Sequence, residues 1–437
     1  MSNFINIPIG EIGTTITGKT PSSSCPEDFG KEYMFITPSD NFDDKTIYLT
    51  NRYLSSEGLI KLKNKKLPPK SVLVSCIGSA MGKVTMNNST SITNQQINSI
   101  IVNSKYDADY IYYILKNNYK LLRNASSGST ALPMLNKTDF DKLIISIEKD
   151  KFLQQKIAKF LSDLDAKIEL NNKINAELEA LAKTLYDYWF VQFDFPDANG
   201  KPYKTSDGKM VWNEELKREI PEGWENGLVS DLFELNPTLS LKKNSISSYI
   251  DMNALPTDGF MTKAVQEKEF NGGVKFQNGD VAIARITPCL ENGKTGLITL
   301  LKENEIGFGS TEFIVIRGKD MPLSCFGAFL SRSELFRKYS IANMLGTSGR
   351  KRVEASKIGM FPIALPNKVI LKRFEKIVSL QFKQATINIK ENQQLASLRD
   401  WLLPMLMNGQ VRVGDVEEEL GMVAESGAKY EIQNSVK

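Results

Sequence analysis

Two long stretches of this chain contain neither glycine nor proline, and they constrain the fold more than any other feature. The first runs from Met134 to Phe195 and the second from Asn367 to Leu403. In the first, apolar residues recur at alternating steps of four and three, the a/d pattern of a coiled-coil helix over about four heptads. A helix of roughly 38 residues is about 57 Å long, longer than a small domain is wide. The pattern favours a long helix paired with another helix over a surface helix packed along its own domain.

The predicted seam combines apolar and polar side chains. Its apolar residues are Ile157, Leu161, Leu164, Ile168, Leu178, Ala182 and Leu185 in the first stretch and Ile377, Leu395, Leu398 and Leu402 in the second. Its polar residues, Asn171, Asn175, Gln384 and Asn388, are expected to fix the helix register at some cost in stability.

The two stretches belong to a tandem duplication. A shift of 220 residues superposes Lys137 on Lys357, Lys156-Ile157 on Lys376-Ile377, Leu178 on Leu398, and Glu11-Ile12 on Asp231-Leu232. A shift of about 210 superposes "SVLVSCIG" on "DVAIARIT" and Gly82-Lys83 on Gly293-Lys294. A period this long indicates two copies of one fold and not a solenoid.

Each copy is predicted to be an α+β domain. Short β-branched runs such as "YMFITP", "NSIIVN" and "EFIVIR" are bounded by turn residues, and each copy then has a helix and a Gly/Ser turn, "SSGST" or "GTSGR". The predicted boundaries are a first domain at 1–150, a long helix at 151–192, a connector at 193–220, a second domain at 221–366, a long helix at 367–408 and an acidic, disordered tail at 409–437.

The duplication predicts how the helices pair. If the copies are related by a pseudo-twofold axis, the two long helices run in opposite directions and pair along their seams. The predicted fold is therefore a pseudo-twofold tandem repeat, in which two similar mixed α/β domains are joined by an antiparallel pair of long α-helices. Such a molecule would hold two globular domains at a fixed distance.

Composition excludes several functional classes. The chain has no histidine, so Ser-His-Asp and Cys-His nucleophiles and His-ligated zinc are excluded. Its four cysteines form no CxxC pair, which argues against a disulfide framework. The first residues have no signal-peptide pattern and no apolar run approaches the roughly 20 residues of a membrane span, so a cytoplasmic protein is expected. A net charge of +4 permits a polyanionic partner without requiring one.

Several long motifs together resemble one known family. They are "SSGSTALPMLNKTDFDKLIISI" continuing into "QQKIAKFLSDLDAKIELNNKINAELEALAKTLYDYWFVQFDFP", the connector ending "IPEGWE", and "GSAMGKVTM…TNQQINSI". Over about residues 5–408 the chain resembles the DNA-specificity (S) subunit of type I restriction–modification enzymes. Any single piece is a weak signal, whereas the joint match is specific.

The resemblance implies a function and a set of partners. Each domain would be a target recognition domain that reads one half of a split, asymmetric sequence in double-stranded DNA. The paired helices would set the gap and dock two methyltransferase (modification) subunits, which restriction (translocase/nuclease) subunits then join. S-adenosylmethionine, ATP and Mg²⁺ would be bound by those partners, and this chain would need no cofactor or metal and would not be an enzyme.

Candidate DNA-binding residues follow from side-chain chemistry in loops. Amide side chains pair with adenine, and Arg or Lys contacts guanine or phosphate. The candidates are Ser79, Lys83, Asn94, Gln95 and Gln96 in the first domain and Arg285, Thr287, Lys294, Arg350, Lys351 and Arg352 in the second. Each could equally be an ordinary loop residue. The same holds for a lysine-rich run comprising Lys61, Lys63, Lys65 and Lys66.

Two catalytic patterns are weak alternatives. Pro196-Asp197 with Glu215-Leu216-Lys217 spells a PD…ExK nuclease pattern, but it lies in a turn-rich connector instead of on adjacent strands. Gly293-Lys294-Thr295 resembles the end of a P-loop whose first glycine position holds Pro288. No NPPY-like tetrapeptide is present, since Asn236-Pro237 is followed by Thr-Leu. The alternative from a different functional class is a coiled-coil adaptor that joins two protein-binding domains without DNA.

Overall fold

The chain forms two compact units. The computed structural model describes residues 4–125, 134–347, 349–416 and 418. Unit 1 comprises Met1–Ile168 together with Gln394–Lys437, and unit 2 comprises Glu169–Gln393. Each unit mixes sheets with helices. None of the helices in the described ranges is both long and apolar enough to cross a membrane.

Unit 1 is built on a five-stranded sheet of order β2-β10-β7-β8-β5, a four-stranded sheet of order β3-β6-β4-β9 and the pair β1-β11. Its strands are β1 (Phe4–Pro8), β2 (Gly13–Thr17), β3 (Phe29–Gly30), β4 (Tyr33–Ile36), β5 (Thr46–Ile47), β6 (Arg52–Leu54), β7 (Val72–Ser75), β8 (Val84–Asn87), β9 (Ser91–Thr93), β10 (Ile97–Val102) and β11 (Ile144–Glu148). Its short helices are α1 (Ser56–Lys61), α2 (Ala108–Asn117), α3 (Tyr119–Asn124) and α4 (Lys137–Lys142).

Unit 2 has four-stranded sheets of order β15-β22-β19-β20 and β17-β16-β21-β18 and the pairs β12-β13 and β14-β23. Its strands are β12 (Met210–Asn213), β13 (Arg218–Pro221), β14 (Glu225–Leu228), β15 (Phe233–Leu235), β16 (Ile246–Ile250), β17 (Gln266–Glu269), β18 (Val274–Phe276), β19 (Val281–Ala284), β20 (Thr295–Leu297), β21 (Gly307–Gly309), β22 (Phe313–Gly318) and β23 (Pro362–Leu365). Its short helices are α6 (Val229–Leu232), α7 (Ser324–Arg332), α8 (Glu334–Ala342) and α9 (Ala355–Gly359).

The two units share one topology, so the predicted duplication is confirmed. The strand order β2-β10-β7-β8 of unit 1 recurs as β15-β22-β19-β20, and the parallel pair β4-β9 recurs as β16-β21. The hairpins β7–β8 and β19–β20 close in the same way, since Ser75 N donates to Lys83 O at 2.9 Å and Ala284 N to Lys294 O at 3.0 Å. Both turns need glycine, because Gly82 and Gly293 have φ of +88° and +73°.

Two long helices complete both units. They are α5 (Lys151–Tyr186), which continues as a π-helical turn over Asp187–Val191, and α10 (Lys368–Met407). In unit 1, Leu161 of α5 and Leu402 and Leu406 of α10 lie in a hydrophobic core with the buried face of α2. In unit 2, Tyr186 of α5 and Phe374 of α10 lie in a core rich in stacked and edge-to-face aromatic rings. Each core therefore draws on both helices.

The helices pair antiparallel, as predicted. Within unit 2, Asn171 donates to Asn392 Oδ1 at 2.9 Å, and Asn388 donates to Asn175 Oδ1 at 2.8 Å. As residue numbers increase along α5, the numbers of the residues they bond to on α10 decrease, so the two helices run in opposite directions. Asn171 and Asn388 are buried, and Gln384 donates to Asn388 at 2.9 Å. Because a buried amide is stable only with partners, these bonds favour one alignment of the helices.

A partly buried ion pair joins both long helices to α2 in unit 1. Arg399 Nη1 lies 2.5 Å from Asp165 Oδ1, and the Tyr113 hydroxyl donates to Asp165 Oδ2 at 2.5 Å. Burial and the neighbouring Asp165 carboxylate raise the pKa of Tyr113, so its hydroxyl stays protonated. Removing one partner of such a pair leaves a partly desolvated charge without compensation, so the network favours one arrangement of these three helices.

Two predictions about these segments are corrected. Ile377 is 39% exposed, and Val378 takes the buried position beside Phe374 and Phe382. The helix α5 begins at Lys151 and α10 begins at Lys368, so equivalent positions of the two helices are 217 residues apart. The prediction used a shift of 220 residues and therefore placed the seam three residues too far along α10.

The tail prediction is wrong for its first part. Residues 413–416 are helical, and Val416 is a buried member of the unit 1 core, against which Val411 and Val413 also pack. Apolar side chains at these three positions give this part of the tail a surface to bury. The rest of the tail, apart from residue 418, lies outside the described residues, as does the predicted "SSGST" turn.

Glu375 of α10 caps another helix of unit 2. Its carboxylate accepts hydrogen bonds from Phe326 N at 2.7 Å and Cys325 N at 3.2 Å, in the first turn of α7. These bonds satisfy backbone donors that a helix start leaves unpaired. The side chain is buried, and this burial raises the pKa of Glu375 to about 7. Burial also raises the pKa of the adjacent Cys325 thiol, which stays protonated over the same range.

The Glu375 carboxyl predicts a pH-dependent stability. Between its usual pKa of 4.5 and about 7, the folded state keeps a proton that the unfolded state has lost. The free energy of unfolding should therefore fall as the pH rises through this window, by about 3 kcal/mol in total. The Glu375→Gln variant should lose this dependence, which thermal unfolding measured from pH 4 to pH 8 would reveal. An exposed residue, Glu303, provides the matched Glu→Gln control, and equal pH profiles for both variants would contradict the assignment.

Candidate nucleic-acid interface

In unit 2, three backbone segments meet at the end of β19. Arg285 N donates to Glu312 O at 2.9 Å, and Val353 N donates to Arg285 O at 3.0 Å. Thr287 N donates to Lys351 O at 3.1 Å, so residues 350–353 lie alongside residues 285–287. The structure thus brings together five of the six residues predicted in the second domain: Arg285, Thr287, Arg350, Lys351 and Arg352.

Unit 1 repeats this arrangement with other side chains. Cys76 N donates to Gln96 O at 2.8 Å, and Leu135 N donates to Cys76 O at 2.9 Å. The isolated bridge Ile77–Met134 matches the bridge Ile286–Arg352. These hydrogen bonds define a strand-end corner, which is formed by Arg285, Glu312 and Arg352 in unit 2 and by Cys76, Gln96 and Met134 in unit 1.

The corner of unit 2 holds opposite charges in fixed geometry. Glu312 accepts from Arg352 Nε at 2.9 and 3.0 Å and from Arg352 Nη2 at 2.7 Å. Hydrogen bonding by Arg352, followed by the charges of Arg352 and Arg285, lowers the pKa of Glu312, which therefore stays ionised at neutral pH.

Among the described residues, two polar atoms beside this pair are buried and have no hydrogen-bond partner. They are Arg285 Nε and Thr287 Oγ1. Buried polar groups are normally paired, so unpaired groups at a surface loop are candidates for contact with another molecule or water.

The remaining candidates of unit 2 differ in availability. Arg350 and Lys351 are exposed at the surface of the loop. Lys294, in contrast, donates from Nζ to Met252 O at 2.9 Å and is half-buried. Lys294 is therefore engaged within unit 2, whereas Arg350 and Lys351 present their charges to solvent.

The candidates of unit 1 lie on neighbouring loops and are mostly engaged by other side chains. Lys83 pairs with Asp43 at 2.7 Å, and Gln95 accepts from Thr20 Oγ1 at 2.7 Å. Asn94 is buried and donates to Gln96 Oε1 at 3.0 Å. Ser79 is exposed, while its carbonyl accepts from Arg123. These loops therefore carry amide and hydroxyl groups together with the exposed ion pair of Lys83 and Asp43.

Sequence reasoning missed Glu312, the residue at the centre of the unit 2 corner. It precedes a strand that pairs with β19 far away in sequence, and no local pattern marks it. The duplication could have indicated it, since Glu312 occupies in unit 2 the place that Gln96, a predicted residue, occupies in unit 1.

The catalytic patterns gain no support from the geometry. The Asp197 carboxylate accepts from the backbone of Asn199 and Lys201 in its own turn. Lys294 N donates to Cys289 O and Thr295 N to Pro256 O, so these backbone donors are not free to hold a phosphate. No cluster of three His, Cys, Asp or Glu with metal-binding geometry occurs within the ranges that the structure describes.

The lysine-rich run lies apart from these corners. Its residues occupy the end of α1 and the following 3-10 turn, and Lys61 pairs with Asp28 at 2.5 Å. The run is otherwise mostly exposed.

Comparison with known proteins gives the family. The model described as type I restriction modification DNA specificity domain matches residues 1–180 and again residues 221–396. The chain therefore belongs to the type I restriction–modification DNA specificity family, and the resemblance seen in the sequence is confirmed. Its role is DNA sequence recognition.

Relatives and a solved structure agree with this assignment. The chain is 26% identical over 430 residues to the type I restriction enzyme MjaIX specificity subunit of Methanocaldococcus jannaschii, covering 93% of each chain. It is 38% identical over 139 residues to the HindI specificity subunit of Haemophilus influenzae, covering 31% of this chain and 30% of that one. The S subunit from M. genitalium has the same fold, with a TM-score of 0.58 at 15% identity and coverage of 93% and 96%.

The exposed basic loop of unit 2 is expected to contact DNA phosphates. Replacing Arg350 and Lys351 together by Ala should weaken binding to all DNA sequences alike and lower the salt dependence of log K by about 1 per residue. Binding measured from 50 to 300 mM salt would show this change. The matched control is Lys338→Ala, an exposed α8 lysine paired with Glu334, which should leave the slope unchanged. A loss limited to one substituted base pair would contradict a phosphate role.

Proposed function

We propose that this chain reads a two-part asymmetric DNA sequence, unit 1 contacting one half and unit 2 the other, within a type I restriction–modification complex. The observation that carries this proposal is the strand-end corner, which both units build with the same backbone hydrogen bonds and fill with different side chains. The two corners therefore present different side chains to a base edge. The corner of unit 1 has Cys76, Gln96 and Met134, and the corner of unit 2 has Arg285, Glu312 and Arg352.

The chain contributes recognition, and its partners contribute catalysis. Methylation with S-adenosylmethionine, and translocation and cleavage with ATP and Mg²⁺, are assigned to the methyltransferase and restriction subunits. The residues of the PD…ExK and P-loop-like patterns support this division, because their polar groups are used in local turns and hairpins. A coiled-coil adaptor without DNA contact is disfavoured by the family assignment.

The long helices offer a surface for the methyltransferase subunits. Leu170 and Leu181 of α5 are 52% and 59% exposed, and Leu380 of α10 is 67% exposed. On α5, Leu170, Ile174 and Leu181 are all exposed and lie within about 40° of one another around the helix axis, and such a row of apolar side chains favours a protein partner. This surface lies outside the polar and apolar seam by which the helices pair.

Mapping methylated adenines in a host that carries the chain with its partner subunits tests the two-part target. The expected result is one motif with two different half-sites and a fixed gap. Removing one heptad from each long helix, about 10.5 Å of helix, should shorten the gap by about 3 base pairs. Both half-sites should remain unchanged. Methylation without a two-part motif would refute the proposal, and an unaltered gap would refute the role of the helices.

Replacing Leu170 and Leu181 by Gln tests the docking surface. The double variant should bind the methyltransferase subunit about 10-fold more weakly or worse, because apolar contacts at a protein interface are lost. Its melting temperature should stay close to that of the unmodified chain, since both side chains are largely exposed. Thr184→Gln, on an exposed α5 position, is the control. Unchanged co-purification of the double variant would exclude this surface.

A further inference from the structure

We propose that Arg352 reads a guanine in the half-site contacted by unit 2, and that Glu312 is the residue that positions it. This inference rests on the proposed DNA-reading function and adds to it the identity of a base and of the residues that select it. Its starting point is the strand-end corner, where a carboxylate holds one guanidinium in a fixed orientation.

The hydrogen bonds of Arg352 leave one edge of the guanidinium for a ligand. The Glu312 carboxylate accepts hydrogen bonds from Arg352 Nε and from one N–H of Arg352 Nη2, at distances of 2.7 to 3.0 Å. Nη1 has only a long contact of 3.4 Å to Arg350 O within the described residues. An arginine has five N–H donors in a planar fork, so the outer N–H groups of Nη1 and Nη2 remain. Guanine presents O6 and N7 in the major groove, which match two such parallel donors.

Glu312 is itself held in place. Its backbone O accepts from Arg285 N and its backbone N donates to Ser310 Oγ at 3.1 Å, directly before β22. The Arg352 side chain is 42% exposed, whereas the Glu312 side chain is 25% exposed. The carboxylate is thus less exposed than the guanidinium it holds, and it fixes the guanidinium before DNA arrives, which reduces the side-chain entropy lost on binding.

The pairing with Glu312 favours a base contact over a phosphate contact. A phosphate is bound mainly through charge, and a carboxylate in contact with Arg352 offsets that charge. A base edge is bound through the direction of donors, which the carboxylate fixes. Arg350 and Lys351, exposed in the same loop, carry charge suited to phosphates. In this loop, Arg352 therefore supplies oriented hydrogen-bond donors to a base, while Arg350 and Lys351 supply positive charge to phosphates.

Unit 1 lacks this device at the same place. Met134 and Gln96 occupy the positions of Arg352 and Glu312, and Cys76 occupies that of Arg285. Met134 is 51% exposed, and the Gln96 amide is hydrogen-bonded to Asn94. The three residues that form this corner carry no positive charge, so the paired-donor contact proposed for Arg352 has no counterpart at the same place in unit 1.

Binding to DNA duplexes substituted at each base pair of the mapped target tests the inference. The full chain in its complex with the methyltransferase subunits is compared with variants Arg352→Lys, Glu312→Gln and Lys351→Ala. Arg352→Lys keeps the charge and loses the paired donors, so preference for guanine at one position of one half-site should fall by between about 5-fold and about 150-fold. Glu312→Gln should relax preference at that same position, and Lys351→Ala should weaken binding to every duplex equally.

A transplant of the corner provides a gain-of-function arm. The triple variant Cys76→Arg, Gln96→Glu and Met134→Arg should acquire a guanine preference at one position of the other half-site. Uniform weakening by Arg352→Lys across all duplexes, or an unaltered preference at every position, would overturn the guanine assignment while leaving sequence-specific binding intact. If the unmodified complex has no base preference at all, the proposed function fails and this inference fails with it. The positioning role of Glu312 would be refuted if Glu312→Gln weakened binding to all duplexes alike while Arg352→Lys changed the preference at one position.

Discussion

Packing of the two long helices into both hydrophobic cores is the constraint on which the rest of the structure depends. The α5 residues Ile157 and Leu161 complete the core of unit 1, and Ala182 and Tyr186 of the same helix complete that of unit 2. The α10 helix supplies Phe374 to one core and Leu402 to the other. Apolar burial is the largest favourable contribution to folding, so neither unit can be stable without both helices.

The repeated corner shows how one fold carries two different sets of side chains at the same place. Backbone hydrogen bonds between strand ends do not depend on side-chain identity, which is why the corners of the two units match while their side chains differ. In unit 2 the frame carries Arg285, Glu312 and Arg352, and the ion pair there is made by side chains alone. The side chains at this corner can therefore differ between the units without any change in the sheets.

Local patterns in the sequence predicted much of the fold. The absence of Gly and Pro, the heptad steps and the β-branched runs indicated the long helices and most of the strands, because helix and strand periods are local properties. The polar seam residues Asn171 and Asn388 were assigned in the same way and lie where expected. The misplaced Ile377 arose because a shift of 220 residues was applied to the long helices, whose starts are 217 residues apart. Glu312 could not be found from local pattern, because its place is set by pairing of strands distant in sequence. The candidate DNA contacts remain predictions that await the binding measurements.

The interrupted course of unit 1 has a consequence for synthesis. Unit 2 lies wholly between Glu169 and Gln393, whereas unit 1 needs Leu402 and Leu406 from the end of α10. Domains commonly fold in order as the ribosome releases them, the N-terminal one first. Here the nascent chain can complete unit 2 before unit 1, even though most of unit 1 is translated earlier. A chain truncated before Leu402 would leave the apolar surface of the first strands and α2 uncovered, a natural substrate for chaperones and proteases.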